Sequence, residues 1–303
     1  MDLTNKNKIY FQIFCYLSII AGIILRFAQY LSNKSLWRDE ARIALNLIEK
    51  NFIELAGPLN YDQSVHPGFM LLEKLFVSVL GTSEYSLRLF PLLCGVLSVL
   101  IFYKIVKKTL SVYSRSIALV LFSALTPLIY YSSELKQYSS DVLASEILLL
   151  WAINLTETKF TLFRGIITGL LGAVLLWISY PSVFILAGIG LFLFVNFLKD
   201  QKRNLLLLLF IYIVWSLSFY LLYKVSLHTI TESPFFNKFW DADYMPLSIT
   251  TMSSITWLLI AWSKFLAYLT LDAKTAFVII LGIFCLFFKN KKVFIILDRK
   301  SVV

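Results

Sequence analysis

Charge is what this sequence has least of. Asp, Glu, Lys and Arg make up 15% of its 303 residues, against about 25% in a soluble domain. Hydrophobic residues fill 59%. That balance excludes a disordered chain, a fibrous repeat and an ordinary cytosolic fold. Histidine occurs twice and cysteine three times. Cys15, Cys94 and Cys285 all lie in apolar runs, which excludes a disulfide framework or a zinc site and leaves small core residues. Neither GxxxxGK[ST] nor GxGxxG occurs, so the chain carries no recognisable nucleotide loop.

Long apolar runs are what it has instead. A membrane span takes about 20 predominantly apolar residues. Runs at 9–31, 86–106, 115–133, 138–155, 162–180, 182–198, 204–223 and 273–288 fit that role. The first follows Lys6 and Lys8 but is too long for a signal peptide, and no A-x-A site follows it, so it reads as an uncleaved span. Two stretches are ambiguous. Residues 67–80 carry Glu73 and Lys74, and residues 252–270 carry Lys264 and two tryptophans.

The basic clusters decide between the possibilities. Lys6/Lys8, Lys104/Lys107/Lys108/Arg115, Lys159/Arg164, Lys199/Lys202/Arg203 and the group from Lys289 to Lys300 share one side only if neither ambiguous stretch spans. The positive-inside rule makes that side cytoplasmic, with both termini on it. The two stretches then become amphipathic helices at the outer interface. The expected architecture is all-α and polytopic. It has one membrane domain over 1–303, about eight transmembrane helices, and long external segments at 32–85 and 224–272. The net charge of +10 divides into +12 on the cytoplasmic side and −2 outside, with Arg26 and Glu146 cancelling inside spans. It therefore reports orientation, not an affinity for nucleic acid.

Long external segments draw attention to the outer face. The first opens with Ser35-Leu36-Trp37-Arg38-Asp39-Glu40-Ala41-Arg42, and Ala44, Leu47, Ile48 and Phe52 follow at helical spacing. That predicts an amphipathic helix over 37–55, lying along the membrane. Asp39 and Glu40 in its first turn are explained by the helix dipole alone, and Trp37 by anchoring at the interface. Next comes Asn60-Tyr61-Asp62-Gln63-Ser64-Val65-His66-Pro67. His66 stands before a helix N-terminus, where an anion would also bind; a hydrogen-bonded structural role fits it as well. Arg88 sits at the outer end of the second span, where it can meet a phosphate or reach lipid headgroups. The cluster from Pro127 to Asp141, where span three emerges, crowds Glu134, Lys136 and Asp141 at a tight turn between two spans. A solvated Glu134–Lys136 pair is the plain explanation.

In their order, the "LWRDEA" segment, the His66-Pro67 step, "EYSLRLFPLL" and "PLIYYSSELKQY" resemble polyprenyl-phosphate-sugar glycosyltransferases of the GT-C class. The similarity is to glycosyltransferase family 39, the protein O-mannosyltransferase and lipid A aminoarabinose transferase group. The loop Phe239-Trp240-Asp241-Ala242-Asp243-Tyr244-Met245-Pro246 is similar to bacterial members. Members of that group are commonly longer, so the chain is expected to be a short form or a piece of one.

The resemblance implies a catalytic acid at Asp39 with Glu40 as its neighbour. It also implies a second acid at Glu134, with Tyr138 following. Where the family often has arginine two residues after that acid, this chain has Lys136, which keeps the charge but loses the fork. His66 falls at the family's basic position before proline, partly charged at neutral pH. Arg42, Arg88, Lys136 and His66 are the expected ligands of the donor phosphate. Asp39 and Glu134 can instead hold a divalent metal, and the sequence leaves both open. The implied partners are a polyprenyl-phosphate sugar, an acceptor glycan, lipid or protein, and the membrane. The implied location is a bacterial plasma membrane with the site on its outer face. Two rival classes remain, a lipid-linked sugar transporter and a non-enzymatic scaffold. A transporter keeps its polar groups near the midplane, whereas most charges here lie at the rim.

Overall fold

The computed structural model describes residues 3–200, 205–241, 243–244 and 252–270. All regular elements among them are helical, with no strand. The chain divides into two compact units, Met1–Phe239 and Trp240–Val303. In the second, α14 (Met252–Thr270) is a single helix, and Lys264 Nζ lies 3.2 Å from Asp243 Oδ1. The predicted run 273–288 and Cys285 lie outside the described residues.

The first unit is built around α1 (Leu3–Leu31), α5 (Glu84–Thr109) and α6 (Val112–Ala124). Cys15, Ile19, Val99, Val106 and Leu119 make the buried seam between them. The Ser83 hydroxyl caps α5 by accepting from the Ser86 amide, Glu84 lies in its first turn and Lys107 and Lys108 in its last. Acids at the start and bases at the end both suit the helix dipole.

The run 115–133, expected as one span, is broken. It forms α6 and α7 (Thr126–Tyr130), followed by a 3-10 turn over Tyr131–Ser133, with axes bent by 53° at Leu125. Pro127 is the cause: it has no amide hydrogen and its ring would strike the carbonyl of Ser123. That carbonyl faces the buried Arg26, whose Nη1 lies 3.5 Å from it and donates to Gly22 O at 3.0 Å.

A second group comprises α8 (Tyr138–Thr156), α9 (Leu162–Ile178), α10 (Ser182–Asp200) and α11 (Leu205–Leu222). Its core runs through Leu148, Leu176, Leu186, Ile211 and Trp215. Gly172 lets α9 and α11 approach, because a Cβ there would lie 2.2 Å from Trp215 Nε1. That nitrogen donates to the carbonyls of Thr168 and Gly169. A π-turn over Tyr223–Leu227 extends α11 into α12 (His228–Glu232), past the predicted end at 223, and α13 (Pro234–Trp240) follows.

Among the described residues, three helices are long and apolar enough to cross a membrane: Asn7–Leu31, Glu84–Thr109 and Leu205–Glu232. The bent α6–α7 pair would be a fourth, and Leu162–Ile178 and Ser182–Leu198 are apolar but shorter. Their outer faces carry exposed large hydrophobics such as Leu121, Leu170 and Leu206, the surface a bilayer covers. The chain is therefore an all-helical integral membrane protein.

The segment between α1 and α5 folds into a compact cap. It holds α2 (Arg38–Glu49), α3 (Phe52–Leu55) and α4 (Pro67–Leu80). The helix expected over 37–55 breaks at Lys50. Asn51 accepts from the amides of Ile53 and Glu54, and Glu54 accepts from the Asn51 amide, so a capping box starts a new helix there. The buried face of α2 also differs from expectation. Ile43 and Leu47 pack against Phe69 and Met70 of α4 and against Leu135, not against lipid, while Ile48 is exposed. Burial of each such side chain contributes about 1.5–3 kcal/mol. The contact with Leu135 holds the α7–α8 turn under the cap.

Candidate functional site

The polar groups at the start of α2 are organised from Glu40. Its side chain is fully buried, and Arg88 meets it with a fork: Nε to Oε1 at 3.0 Å and Nη2 to Oε2 at 2.7 Å. The amides of Leu135 and Trp37 complete its shell at 2.7 and 3.2 Å. Arg88 Nη1 donates to the Lys34 carbonyl. One ion pair thus ties the ends of α1, α2 and α5 to the α7–α8 turn. This corrects the sequence expectation for both residues. Arg88 is buried, and three of its five N–H donors go to Glu40 and the Lys34 carbonyl, so it is turned inward and not toward the surface. Glu40 reaches no surface. A buried pair of this kind is costly to break, because removing one partner strands the other charge.

Asp39, one residue earlier on α2, turns the other way. Its side chain is 28% exposed and lies 3.5 Å from Lys136 Nζ. Lys136 also donates to Gln63 Oε1 at 3.3 Å and stands 5.7 Å over the Trp37 ring. Burial lowers the Lys136 ammonium from its ordinary pKa, and the facing Asp39 carboxylate partly restores it. Arg38, mostly exposed, lies 3.8 Å from the other oxygen of Asp39.

Glu134 occupies the next position on the turn. The Trp37 indole donates to its Oε2 at 2.6 Å, so Trp37 does more than the interface anchoring expected of it. Burial, then the nearby Glu40 charge, raises the Glu134 carboxyl above its ordinary pKa, against the pull of Trp37 and Arg88. Asp39 and Glu134 are each taken up by a different neighbour. Among the described residues no three His, Cys, Asp or Glu side chains gather into a metal site.

Arg42 is half-buried, and its carbonyl accepts from Asn46. Tyr138 begins α8, packs its ring on Tyr131 at 4.4 Å and feels the charges of both Asp39 and Asp141.

His66 differs most from expectation. It is the N-cap of α4, 3% exposed. Burial pushes its imidazole down to about 3, so at neutral pH it is uncharged and no phosphate cation. Its ring lies 3.9 Å from that of Tyr180, and its Nε2 is 3.6 Å from Asp141 Oδ1. The loop before it is strained: Tyr61 and Asp62 both have positive φ, 63° and 53°, unusual for residues with a Cβ. That turn sends Gln63 inward to Lys136.

Ser179 and Tyr180 are the members of this region that sequence reasoning did not single out, and Gln63 and Asp141 lay within the quoted segments without a role of their own. Asp141 was visible as a carboxylate one helical turn past Gln137. Tyr180 and Ser179 come from the far side of the bundle and carry no local signal.

No curated protein matches the chain. Residues 64–223, just over half of it, match the family described as dolichyl-phosphate-mannose-protein mannosyltransferase. The matched stretch holds His66, Arg88, Glu134, Lys136, Tyr138 and Asp141, and begins after Asp39. With its helical, apolar architecture and a charged cap at the end of its helices, the chain belongs to the dolichyl-phosphate-mannose-protein mannosyltransferase family, membrane glycosyltransferases of the GT-C type.

Proposed function

We propose that the protein transfers a sugar from a polyprenyl-phosphate donor to an acceptor hydroxyl on the non-cytoplasmic face, with inversion at the anomeric carbon. The observation that carries this reading is the half-open Asp39–Lys136 pair beside a fully spent Glu40–Arg88 pair. Of these two pairs, only Asp39 and Lys136 are left for a substrate.

The leaving group is a phosphate, already stable as an anion, so no acid is needed to protonate it. Lys136 moves from Asp39 to the phosphate and stabilises the charge that develops there. Asp39, released, accepts the acceptor proton while the acceptor oxygen attacks C1. The C1–O bond to phosphate breaks, its electrons leave with polyprenyl phosphate, and the configuration inverts because attack and departure lie on opposite faces. Glu134 orients Trp37 and, through it, the start of α2. Arg88 and Glu40 position that turn without touching substrate.

An apolar groove of about 500 Å³ between α10 and α11 supports a place for the lipid. Leu186, Leu191, Phe194 and Phe219 line it, and Leu176 and Val183 bring one end to the turn that carries Tyr180. The eight-span count, the cytoplasmic termini and the bacterial plasma membrane belong to the same proposal.

The test is transfer by purified protein from a synthetic polyprenyl-phosphate sugar. Asp39→Asn is expected to lower kcat by about 10²–10⁴-fold in a protein that remains homogeneous in detergent. Lys136→Gln should lower it too, and Lys136→Arg should recover part of the loss. Transfer at the wild-type rate in Asp39→Asn excludes the base assignment.

A further inference from the structure

Several buried polar atoms around His66 make no regular hydrogen bond within the protein. Both ring nitrogens of His66 are among them, with Asp141 Oδ1 and the hydroxyls of Ser179 and Ser182. Such groups are rarely left unpaired, because each costs about 1–3 kcal/mol when desolvated without a hydrogen bond. Here they come from three separate elements. His66 caps α4, Asp141 lies in the first turn of α8, and Ser179 and Ser182 flank the α9–α10 turn. Ser179 neighbours the Asp141 carboxyl.

The cluster adjoins a cavity of about 170 Å³ between the 57–65 loop and the π-turn and α12. Its polar lining is one carboxylate, Asp62, with the amide and hydroxyls of Gln63, Ser64, Ser226, Thr229 and Ser233, and Phe236 is an aromatic wall. No lysine or arginine lines it, so it does not suit a phosphate. Two wall residues tie it to its neighbours. Gln63 accepts from Lys136, and Ser226 hydrogen-bonds Tyr180, whose ring packs on His66. Hydroxyls and uncharged nitrogens beside an aromatic face recognise a neutral, polyhydroxylated ring: its hydroxyls pair with the polar groups and its C–H face lies on the aromatic rings.

We propose that this cavity, with the adjoining His66–Asp141–Ser179 cluster, is the subsite that receives the sugar of the lipid-linked donor. It rests on the donor class proposed above and adds the residues that read the sugar. The phosphate would lie at Lys136 and the ring would extend past Gln63, leaving C1 near Asp39.

The probes are a polyprenyl-phosphate monosaccharide and the bare polyprenyl phosphate, titrated separately into detergent-purified protein and followed by thermal shift. Wild type is expected to bind the sugar-bearing lipid about tenfold more tightly than the bare one, the gain from one or two added hydrogen bonds. Asp141→Ala and Ser226→Ala should erase that preference while leaving the bare lipid unaffected. Ser226→Ala, which removes one hydroxyl and no charge, keeps the test valid if Asp141→Ala does not fold. Lys136→Gln should instead weaken both lipids. Equal affinity of wild type for the two lipids overturns the subsite. So does a preference that survives both alanine variants, the result expected if ordered water alone satisfies the cluster or if the cavity holds the acceptor. Failure to respond to either lipid is a different result. It overturns the donor reading itself, and the subsite with it.

Discussion

At the scale of single residues, the site depends on a choice the sequence could pose but not resolve. Asp39 and Glu40 are adjacent, and successive residues on a helix point about 100° apart. One must face in and the other out. The acid pair, the two cations and the tryptophan were all legible as a group. Which acid would be spent on Arg88 was not, because that depends on where α5 meets α2, 48 positions along the chain. The same applies to His66. Its position before proline was legible, but its charge state is set by burial among residues from α8 and from the α9–α10 turn. That burial has a measurable consequence. The folded-state pKa of about 3 lies below the ordinary value of 6.5. The unfolded chain therefore binds the proton first as the pH falls through 6.5. Stability is lost from there downward, by about 2 kcal/mol between pH 7 and pH 5. Thermal unfolding in detergent should show this loss in the wild type and a shallower one in His66→Gln, the difference between the two being the histidine's share. Parallel curves would mean that folding leaves the pKa of His66 unchanged.

At the scale of elements, helices were legible and their interruptions were less so. The Asn51–Glu54 capping box and Pro127 are both local signals, yet apolar periodicity ran through each of them. The break at Leu125 matters, because it turns the chain so that Glu134 and Leu135 face the cap. The junction of α4 with α9 could not be read from sequence at all. Gly68 lies against the Trp177 carbonyl, and a Cβ on it would come within 2.7 Å of that oxygen. The neighbouring atom is backbone and cannot swing aside, so α4 would have to move, carrying His66 with it. Gly68→Ala should therefore cost about 1–3 kcal/mol and reduce transfer, although the residue touches no substrate. Gly188→Ala is the matching control. That glycine lies within α10, and a Cβ on it would meet no atom within 4 Å, so alanine there should leave stability unchanged or raise it by up to about 1 kcal/mol. Equal melting temperatures for the two variants would show that the α4–α9 contact does not constrain the cap.

At the scale of the whole molecule, the shortage of charge makes the few charges informative about sidedness. The cap between α1 and α5 and the α7–α8 turn lie together, joined by Glu40, Arg88 and Leu135. The α5–α6 connection, with Lys107, Lys108 and Arg115, is at the other end of α5. A membrane crossed by α5 therefore separates the cap from this basic cluster. Lys and Arg are retained on the cytoplasmic side during insertion, so the cap should face outward, where a lipid-linked sugar and its acceptor can meet without a nucleotide. Single cysteines introduced into a variant lacking Cys15, Cys94 and Cys285 decide the matter. Asn60→Cys, in the cap loop, should react with a membrane-impermeant maleimide added to intact cells, and Ser111→Cys, between α5 and α6, only after permeabilisation. The reverse pattern would place the Asp39–Lys136 pair on the cytoplasmic face. A cytoplasmic site would have access to nucleotide sugars, and the case for a polyprenyl-phosphate donor would lose its physical basis.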